Sequence, residues 1–150
     1  MNISKHITLT EATKSNTATR LGINNTPNQA TIETMIVTAE KIFQPLRDAL
    51  GPIRVSSFYR SPELNRAIGG SKTSQHCKGE AIDMQGVNVS NAELFEEACK
   101  LEEFDQIIWE FGTLTEPDWV HVSYSQTQNR KQILRATKIG KRTAYVPYRK

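Results

Sequence analysis

The sequence lacks long apolar runs, and no stretch approaches the ~20 residues that a membrane-spanning helix requires. Of its 150 residues, 37% are hydrophobic and 23% are charged, which is typical of a water-soluble globular protein. A chain of this length can bury a core without disulfides or structural metals. We therefore expect one domain over residues 1–150, with no membrane insertion, and we expect a monomer.

Cysteine is scarce, and the N-terminus has no apolar segment of the kind that secretory signals contain. The chain has only Cys77 and Cys99, and disulfides are uncommon in the reducing cytoplasm. We therefore expect synthesis in the cytoplasm without a signal peptide, and two reduced thiols.

Acidic residues are absent after Asp118, although the net charge of the whole chain is only +3. We interpret residues 125–150 as a basic C-terminal tail, and two readings stay open. Such a tail could bind an anionic polymer, either cell-wall teichoic acid or nucleic acid, or it could be a solvated surface strand with a frayed end. The basic residues of this segment are Arg130, Lys131, Arg135, Lys138, Lys141, Arg142, Arg149 and Lys150.

Hydrophobic periodicity predicts a mixture of helices and short strands. Helical spacing of apolar residues predicts a long helix over residues 28–50, which Pro45 should bend or divide. Alternation and turn residues predict strands over residues 53–59, 80–85, 106–109 and 119–123, and further helices over residues 8–22, 61–68 and 90–101. Connections this short favour an α+β fold with a small antiparallel sheet flanked by helices.

Two of the three histidines lie near a carboxylate at useful spacing. His76 and Asp83 can converge if the chain turns at Gly79, which tolerates backbone angles closed to other residues. Strand alternation directs His121 to the same face as its neighbours Trp119 and Ser123. Two imidazoles and one carboxylate would leave a fourth position for water, as in catalytic rather than structural zinc sites. Spacing alone leaves the alternative open, because an isolated histidine is more often a hydrogen-bonded structural residue.

The run from Ser74 to Asp83 has the pattern Ser-x-His-x-x-Gly-x-Ala-x-Asp, and His121 lies in a Trp-x-His sequence. Both motifs, in this order, resemble those of the zinc D-alanyl-D-alanine carboxypeptidases and L-alanyl-D-glutamate endopeptidases (peptidase family M15), in particular small phage or bacterial members. The resemblance extends over residues 53–123, the motif-bearing core. It implies a hedgehog/DD-peptidase-like fold, peptidase activity and a bound zinc ion (Zn2+).

The resemblance also implies roles for individual residues. His76, Asp83 and His121 would bind the metal. Asp118 would be the general base, but because it lies three residues before His121, the chain must bend near Pro117 to bring both to one site. If Asp118 points away, Glu116 or Glu110 is the next candidate.

Arg60 matches the family arginine that faces the active site, and Ser74 is the first residue of the matched Ser-x-His pattern. Arg60 would be both catalytic and substrate-binding, because its guanidinium suits a substrate carboxylate or a developing oxyanion. The alternative for Arg60 is a surface ion pair. Ser74 would bind substrate or orient the loop that carries His76.

The leading hypothesis is a zinc peptidase that cleaves the peptide stem of peptidoglycan, as an endopeptidase or a D,D-carboxypeptidase. An enzyme of this kind without an export signal suits a bacteriophage endolysin that reaches the cell wall after release. The alternative is a noncatalytic zinc-containing module that binds the cell wall or belongs to a virion. Nucleic-acid binding through the basic segment is the weakest hypothesis, and it predicts a steep salt dependence.

Overall fold

A computed structural model describes residues 1–149. The N-terminal part contains a two-stranded sheet and a series of short helices. Their bounds are β1 Asn2–Ser4, β2 Ile7–Thr8, α1 Leu9–Thr13, α2 Asn16–Leu21, α3 Gln29–Thr38 and α4 Gln44–Leu50. Side-chain caps begin most of these helices, as where Thr8 and Glu11 form a reciprocal capping box on α1.

Helices α3 and α4 are joined by a π-helical turn, Ala39–Phe43, so that helical backbone runs from Gln29 to Leu50. Pro45 lies two residues after this turn, in the first turn of α4. Because proline has no N–H to donate, the regular hydrogen-bond ladder is interrupted there, and the helix contains a single π-helical turn at this point. The predicted long helix is therefore present, and it is divided close to Pro45.

The rest of the chain builds a six-stranded mixed sheet with two further helices. The strands are β3 Ile53–Ser57, β4 Ala81–Gly86, β5 Gln106–Glu110, β6 Trp119–Ser123, β7 Gln132–Ile139 and β8 Arg142–Pro147, and the helices are α5 Pro62–Ala67 and α6 Asn91–Ala98. The sheet order is β3-β4-β6-β5-β7-β8, and every pair is antiparallel except β5 with β7. The α+β prediction is confirmed, with a larger sheet than expected and one parallel pair.

The sheet has two chemically different faces. On one face lie side chains such as Met84, Val120 and Val122, which are completely buried among the hydrophobic core residues. Helix α6 contacts β4, β5 and β6. Since side chains alternate along a strand, the residues between these core positions, including Asp83 and His121, project from the opposite face.

The basic C-terminal segment forms the hairpin β7–β8, which continues the main sheet from β5. On the core side, Tyr148 stacks on Trp109 with ring centroids 5.6 Å apart, and the Arg135 guanidinium lies 4.7 Å from the Trp109 ring centroid. These contacts attach the hairpin to the core. Of the basic residues named above, Lys150 lies outside the described residues.

Among residues 1–149, no helix combines the length and apolar character needed to cross a bilayer.

Candidate metal centre

Three side chains from different elements converge on the face of the sheet opposite the hydrophobic core. His76 lies in a 3-10 turn, Gln75–Lys78, whereas Asp83 lies in β4 and His121 in β6. Asp83 and His121 are directly paired across the two strands. One potential ligand atom from each of the three residues lies within 4.8 Å of the other two.

A backbone carbonyl orients the His76 ring. Nδ1 lies 2.8 Å from the carbonyl oxygen of Phe58, which can only accept, so this nitrogen carries the proton. In the neutral ring, Nε2 then carries a lone pair and no proton. It is buried, has no hydrogen-bond partner and faces Asp83 Oδ2 at 3.3 Å. A lone pair that faces a carboxylate oxygen requires a cation or a proton between them, which fits a metal site.

His121 completes the donor set. Its Nδ1 lies 2.9 Å from Asp83 Oδ1, and its ring meets that of His76 edge to face at 5.2 Å between centroids. Two imidazole nitrogens and one carboxylate match the ligands of catalytic zinc sites. The residues present therefore fit a zinc ion.

The site's electrostatics keep Asp83 ionised. Burial alone would raise the pKa of Asp83, but the nearby imidazoles of His76 and His121 hold it well below its usual range. Burial lowers the pKa of His121, whereas its hydrogen bond to Asp83 and the charges of Asp83 and Glu110 more than reverse this. Both shifts favour a positive charge next to the Asp83 carboxylate.

The three candidate ligands line a cavity of about 590 Å³. A second carboxyl group, that of Glu110 at the end of β5, lies in the wall of this cavity. Glu110 is only 7% exposed. Burial, with a contribution from the negative charge of Asp83, raises its pKa from 4.5 to about 7, although His121 and Arg60 act in the opposite direction. Glu110 can therefore exchange a proton near neutral pH beside the candidate metal ligands.

The model of the family described as Peptidase M15 matches residues 5–123. The chain belongs to the Peptidase M15 family. It is therefore a metallopeptidase with a peptide substrate, and the resemblance identified from the two histidine motifs is confirmed. No curated protein matched the chain. The small phage or bacterial type of member remains a prediction.

In this M15 chain, the carboxylates predicted near His121 are not equivalent. Asp118 is exposed, and the described residues that line the cavity do not include it. Glu116 is also exposed, and its Oε1 accepts the Ala92 N–H at 2.6 Å in the first turn of α6. Of the three carboxylates considered from the sequence, the structure brings Glu110 to the cavity.

Arg60 and Ser74 both line the cavity of the M15 site. Arg60 Nη1 donates to Asn65 Oδ1 at 3.1 Å, and its Nε is buried without a hydrogen-bond partner. No carboxylate of the described residues lies within ion-pair distance of Arg60, so its guanidinium can meet a ligand. Ser74 Oγ accepts the N–H of His76 at 3.2 Å and thereby caps the turn that carries this ligand.

Several cavity residues were not singled out for the site from the sequence, and three of them lie near the C-terminus. Lys138, Thr143 and Tyr145 belong to the hairpin β7–β8, which lies beyond the residues that match the M15 family. A local signal for this hairpin exists, because Gly140 at positive φ begins a two-residue turn between β7 and β8.

Proposed function

We propose that this chain is a zinc-dependent peptidase that hydrolyses a peptide bond in the peptidoglycan stem. Endopeptidase action is preferred over D,D-carboxypeptidase action. The observation that carries the metal assignment is the buried Nε2 of His76, which faces Asp83 without a hydrogen-bond partner in a cavity that also contains Glu110. Metallopeptidase chemistry uses a Lewis acid and a proton acceptor side by side, and this cavity offers groups that could hold the first and serve as the second.

The protein's own side chains would hold and orient a zinc ion. The Phe58 carbonyl fixes the His76 tautomer so that Nε2 is available as a ligand. Asp83 supplies the compensating negative charge, and its pairing with His121 across β4 and β6 sets their separation. A zinc ion bound here would supply Lewis-acid chemistry, polarising the scissile carbonyl and making water more acidic.

Glu110 is the general base in this proposal. Its pKa of about 7 gives it substantial proton affinity while part of the population remains ionised near neutral pH. Glu110 would accept a proton from the attacking water and pass it to the leaving amine. Asp118 matches the family position for this role in sequence, but its exposure and its place outside the cavity favour Glu110.

Arg60 is proposed to bind the substrate or its developing oxyanion. Its guanidinium lines the cavity, and its buried Nε has no partner. A planar guanidinium binds a carboxylate or an oxyanion with two parallel hydrogen bonds. Ser74 is already engaged with the His76 N–H, so we assign it a positioning role in which its hydroxyl can still donate to substrate.

The biological setting is also a proposal. The chain would act as a bacteriophage endolysin, made in the cytoplasm and reaching the cell wall after release. The basic hairpin would favour an anionic cell wall. The alternative, a noncatalytic zinc module of a virion or cell surface, has no need of a proton acceptor, whereas Glu110 is buried beside the ligands.

The test is mass spectrometry of purified peptidoglycan after incubation with zinc-loaded protein, metal-stripped protein, Glu110→Gln and Asp118→Asn. New peptide termini should form with zinc-loaded wild type and identify the bond. We expect Glu110→Gln to retain zinc and to lose about 10²- to 10⁴-fold in rate, the usual contribution of a general base. Asp118→Asn, the matched control, should remain within a few-fold of wild type.

Two outcomes would overturn parts of this proposal. Bound zinc without any cleavage would favour the noncatalytic module. An inactive Asp118→Asn protein beside an active Glu110→Gln protein would return the general-base role to Asp118.

A further inference from the structure

The hairpin β7–β8 forms one wall of the cavity that contains the metal centre. Lys138, Thr143 and Tyr145 line this cavity together with His76, Asp83 and His121. The M15 family match ends at residue 123, before this hairpin begins. The wall is therefore a part of the site that the family assignment does not account for.

Strand register places these side chains on the same face as the metal centre. Glu110 is paired with Ala136 of β7, and Ala136 is paired with Tyr145 of β8. Directly paired residues project from the same face of a sheet, so Tyr145 shares the face of Glu110. Lys138 follows Ala136 by two residues and is paired with Thr143, which places both on this face too.

The ammonium group of Lys138 is held but not neutralised. Nζ donates to Thr143 Oγ1 at 3.3 Å and lies 5.2 Å from the centroid of the Phe111 ring. Within residues 1–149, no carboxylate lies within ion-pair distance of this Nζ. Arg130, another basic residue in the cavity wall, differs because its Nη2 is 2.7 Å from Asp105 Oδ2. Lys138 is exposed and offers a positive charge that has no ion-pair partner, although this charge also lowers the pKa of Glu110.

Tyr145 adds a hydrogen-bond donor next to this charge. Tyr145 is 55% exposed, but the covered part of its ring raises its pKa, and the negative charges of Glu110 and Asp83 raise it further. The phenol therefore keeps its proton near neutral pH, and it can donate to an anion.

Two positive side chains lie on opposite sides of the metal centre. Arg60 follows the edge strand β3, whereas Lys138 is in β7, and the strands that carry Asp83 and His121 lie between them. We propose that Lys138, Thr143 and Tyr145 form a hairpin subsite that binds a carboxylate of the peptide substrate on the side of the scissile bond opposite Arg60. This inference rests on the proposed function, and it defines the substrate as a peptide with a carboxylate on that side.

The test uses three synthetic stem pentapeptides, L-alanyl-γ-D-glutamyl-L-lysyl-D-alanyl-D-alanine and its two carboxamides. One carboxamide replaces the glutamyl α-carboxylate, and the other replaces the C-terminal carboxylate. We expect the amide that replaces the carboxylate bound by the hairpin subsite to lower the kcat/KM of wild type by about 10-fold, as for loss of a hydrogen bond to a charged group. The comparison of the two amides identifies that carboxylate. Lys138→Met should lose a similar factor on the unmodified peptide and should no longer distinguish it from that amide.

Lys141→Met is the matched control, because Lys141 lies in the turn of the same hairpin and does not line the cavity. It removes the same charge from the same element and should keep the discrimination of wild type. Tyr145→Phe should reduce the preference for the unmodified peptide over the amide only a few-fold, since only a neutral donor is removed.

A binding measurement separates the subsite from the reaction. In the Glu110→Gln background, calorimetry with the unmodified peptide should give a dissociation constant about 10-fold larger for Lys138→Met than for Lys141→Met. If wild type cleaves neither these peptides nor purified peptidoglycan, the proposed function fails, while the calorimetry still decides on the subsite. Equal affinities of these two variants for the peptide would overturn the proposed subsite. So would a Lys138→Met protein that still prefers the unmodified peptide over its amide.

Discussion

At the scale of single residues, Glu110 connects burial with reactivity. Its carboxyl group is buried beside Asp83, and both conditions favour the protonated form and raise its pKa to about 7. A carboxyl group whose pKa is raised on folding stabilises the fold fully below its ordinary pKa. That contribution is lost as the pH rises through the pKa of the folded protein.

The Glu110→Gln variant should therefore change the pH dependence of stability in metal-free protein. Between about pH 4.5 and pH 8, wild type should lose on the order of 3 kcal/mol of unfolding free energy that the variant keeps. Urea unfolding at several pH values in the presence of a chelator measures this difference. Parallel stability curves for the two proteins would show that the Glu110 pKa is not raised.

The metal-binding histidines and Glu110 differ in how far the sequence could identify them. His76, Asp83 and His121 were predicted because each belongs to a short motif, and the structure places them together. The choice of Glu110 over Asp118 depends on where the connection between β5 and β6 turns. Phe111 takes a positive φ there, and the Asp118 N–H returns to the Glu110 carbonyl at 2.9 Å, features that no local pattern predicts.

At the scale of elements, Gly79 determines how the turn that carries His76 joins β4. Gly79 has φ +74°, and an added Cβ would lie 2.6 Å from Met35 Cγ and 3.2 Å from the Thr31 carbonyl oxygen. A side chain here would therefore be strained in its backbone and would also press on α3.

Gly79→Ala should lower the unfolding free energy by about 2–4 kcal/mol and should weaken metal binding, because the turn shifts His76. Gly140→Ala is the matched control: its φ is +64°, but no atom lies near the added Cβ and the site is distant along the chain. It should cost about 1 kcal/mol with unchanged metal affinity. Thermal unfolding and metal titration of both variants measure these effects, and equal losses would contradict the role of Gly79.

An ion pair between the buried Asp105 and the half-exposed Arg130 connects the start of β5 to the segment before β7. Asp105 accepts hydrogen bonds from the Arg130 backbone N–H, Nε and Nη2 at 2.7–2.9 Å. These bonds lower the pKa of Asp105, against the opposing effect of burial. A carboxylate with a lowered pKa stabilises the fold above its ordinary pKa, and this contribution is lost as the pH falls through the lowered value.

Asp105→Asn should therefore destabilise the protein by about 1–3 kcal/mol at pH 7, and the deficit should shrink below about pH 4. Urea unfolding at pH 7 and pH 3 tests this. Glu97→Gln serves as the control, since its pair with Lys100 is exposed and should contribute less than about 1 kcal/mol at either pH. A deficit for Asp105→Asn that is independent of pH would contradict the ion-pair account.

At the scale of the whole molecule, one face of the sheet packs in the hydrophobic core and the other carries the candidate metal ligands. The alternation in β6 predicted that the valines and His121 point in opposite directions, and Val120 and Val122 are indeed in the core. The hairpin β7–β8 was interpreted as a tail, because its basic composition suggested solvent and its pairing partner β5 is distant in sequence. Long-range pairing of this kind is not encoded in local periodicity. For this reason, the wall of the cavity that the hairpin forms could not be predicted from the sequence.

The most direct test of the account is stoichiometric reactivation of metal-stripped protein by zinc, with bound metal and peptidoglycan cleavage measured in the same samples. We predict that cleavage rises with added zinc and reaches its maximum at one zinc per chain, and that His76→Ala neither binds that equivalent tightly nor regains activity. Cleavage by the stripped protein, or one tightly bound zinc per chain without any cleavage, would contradict the assignment of this site as the catalytic centre of a zinc peptidase.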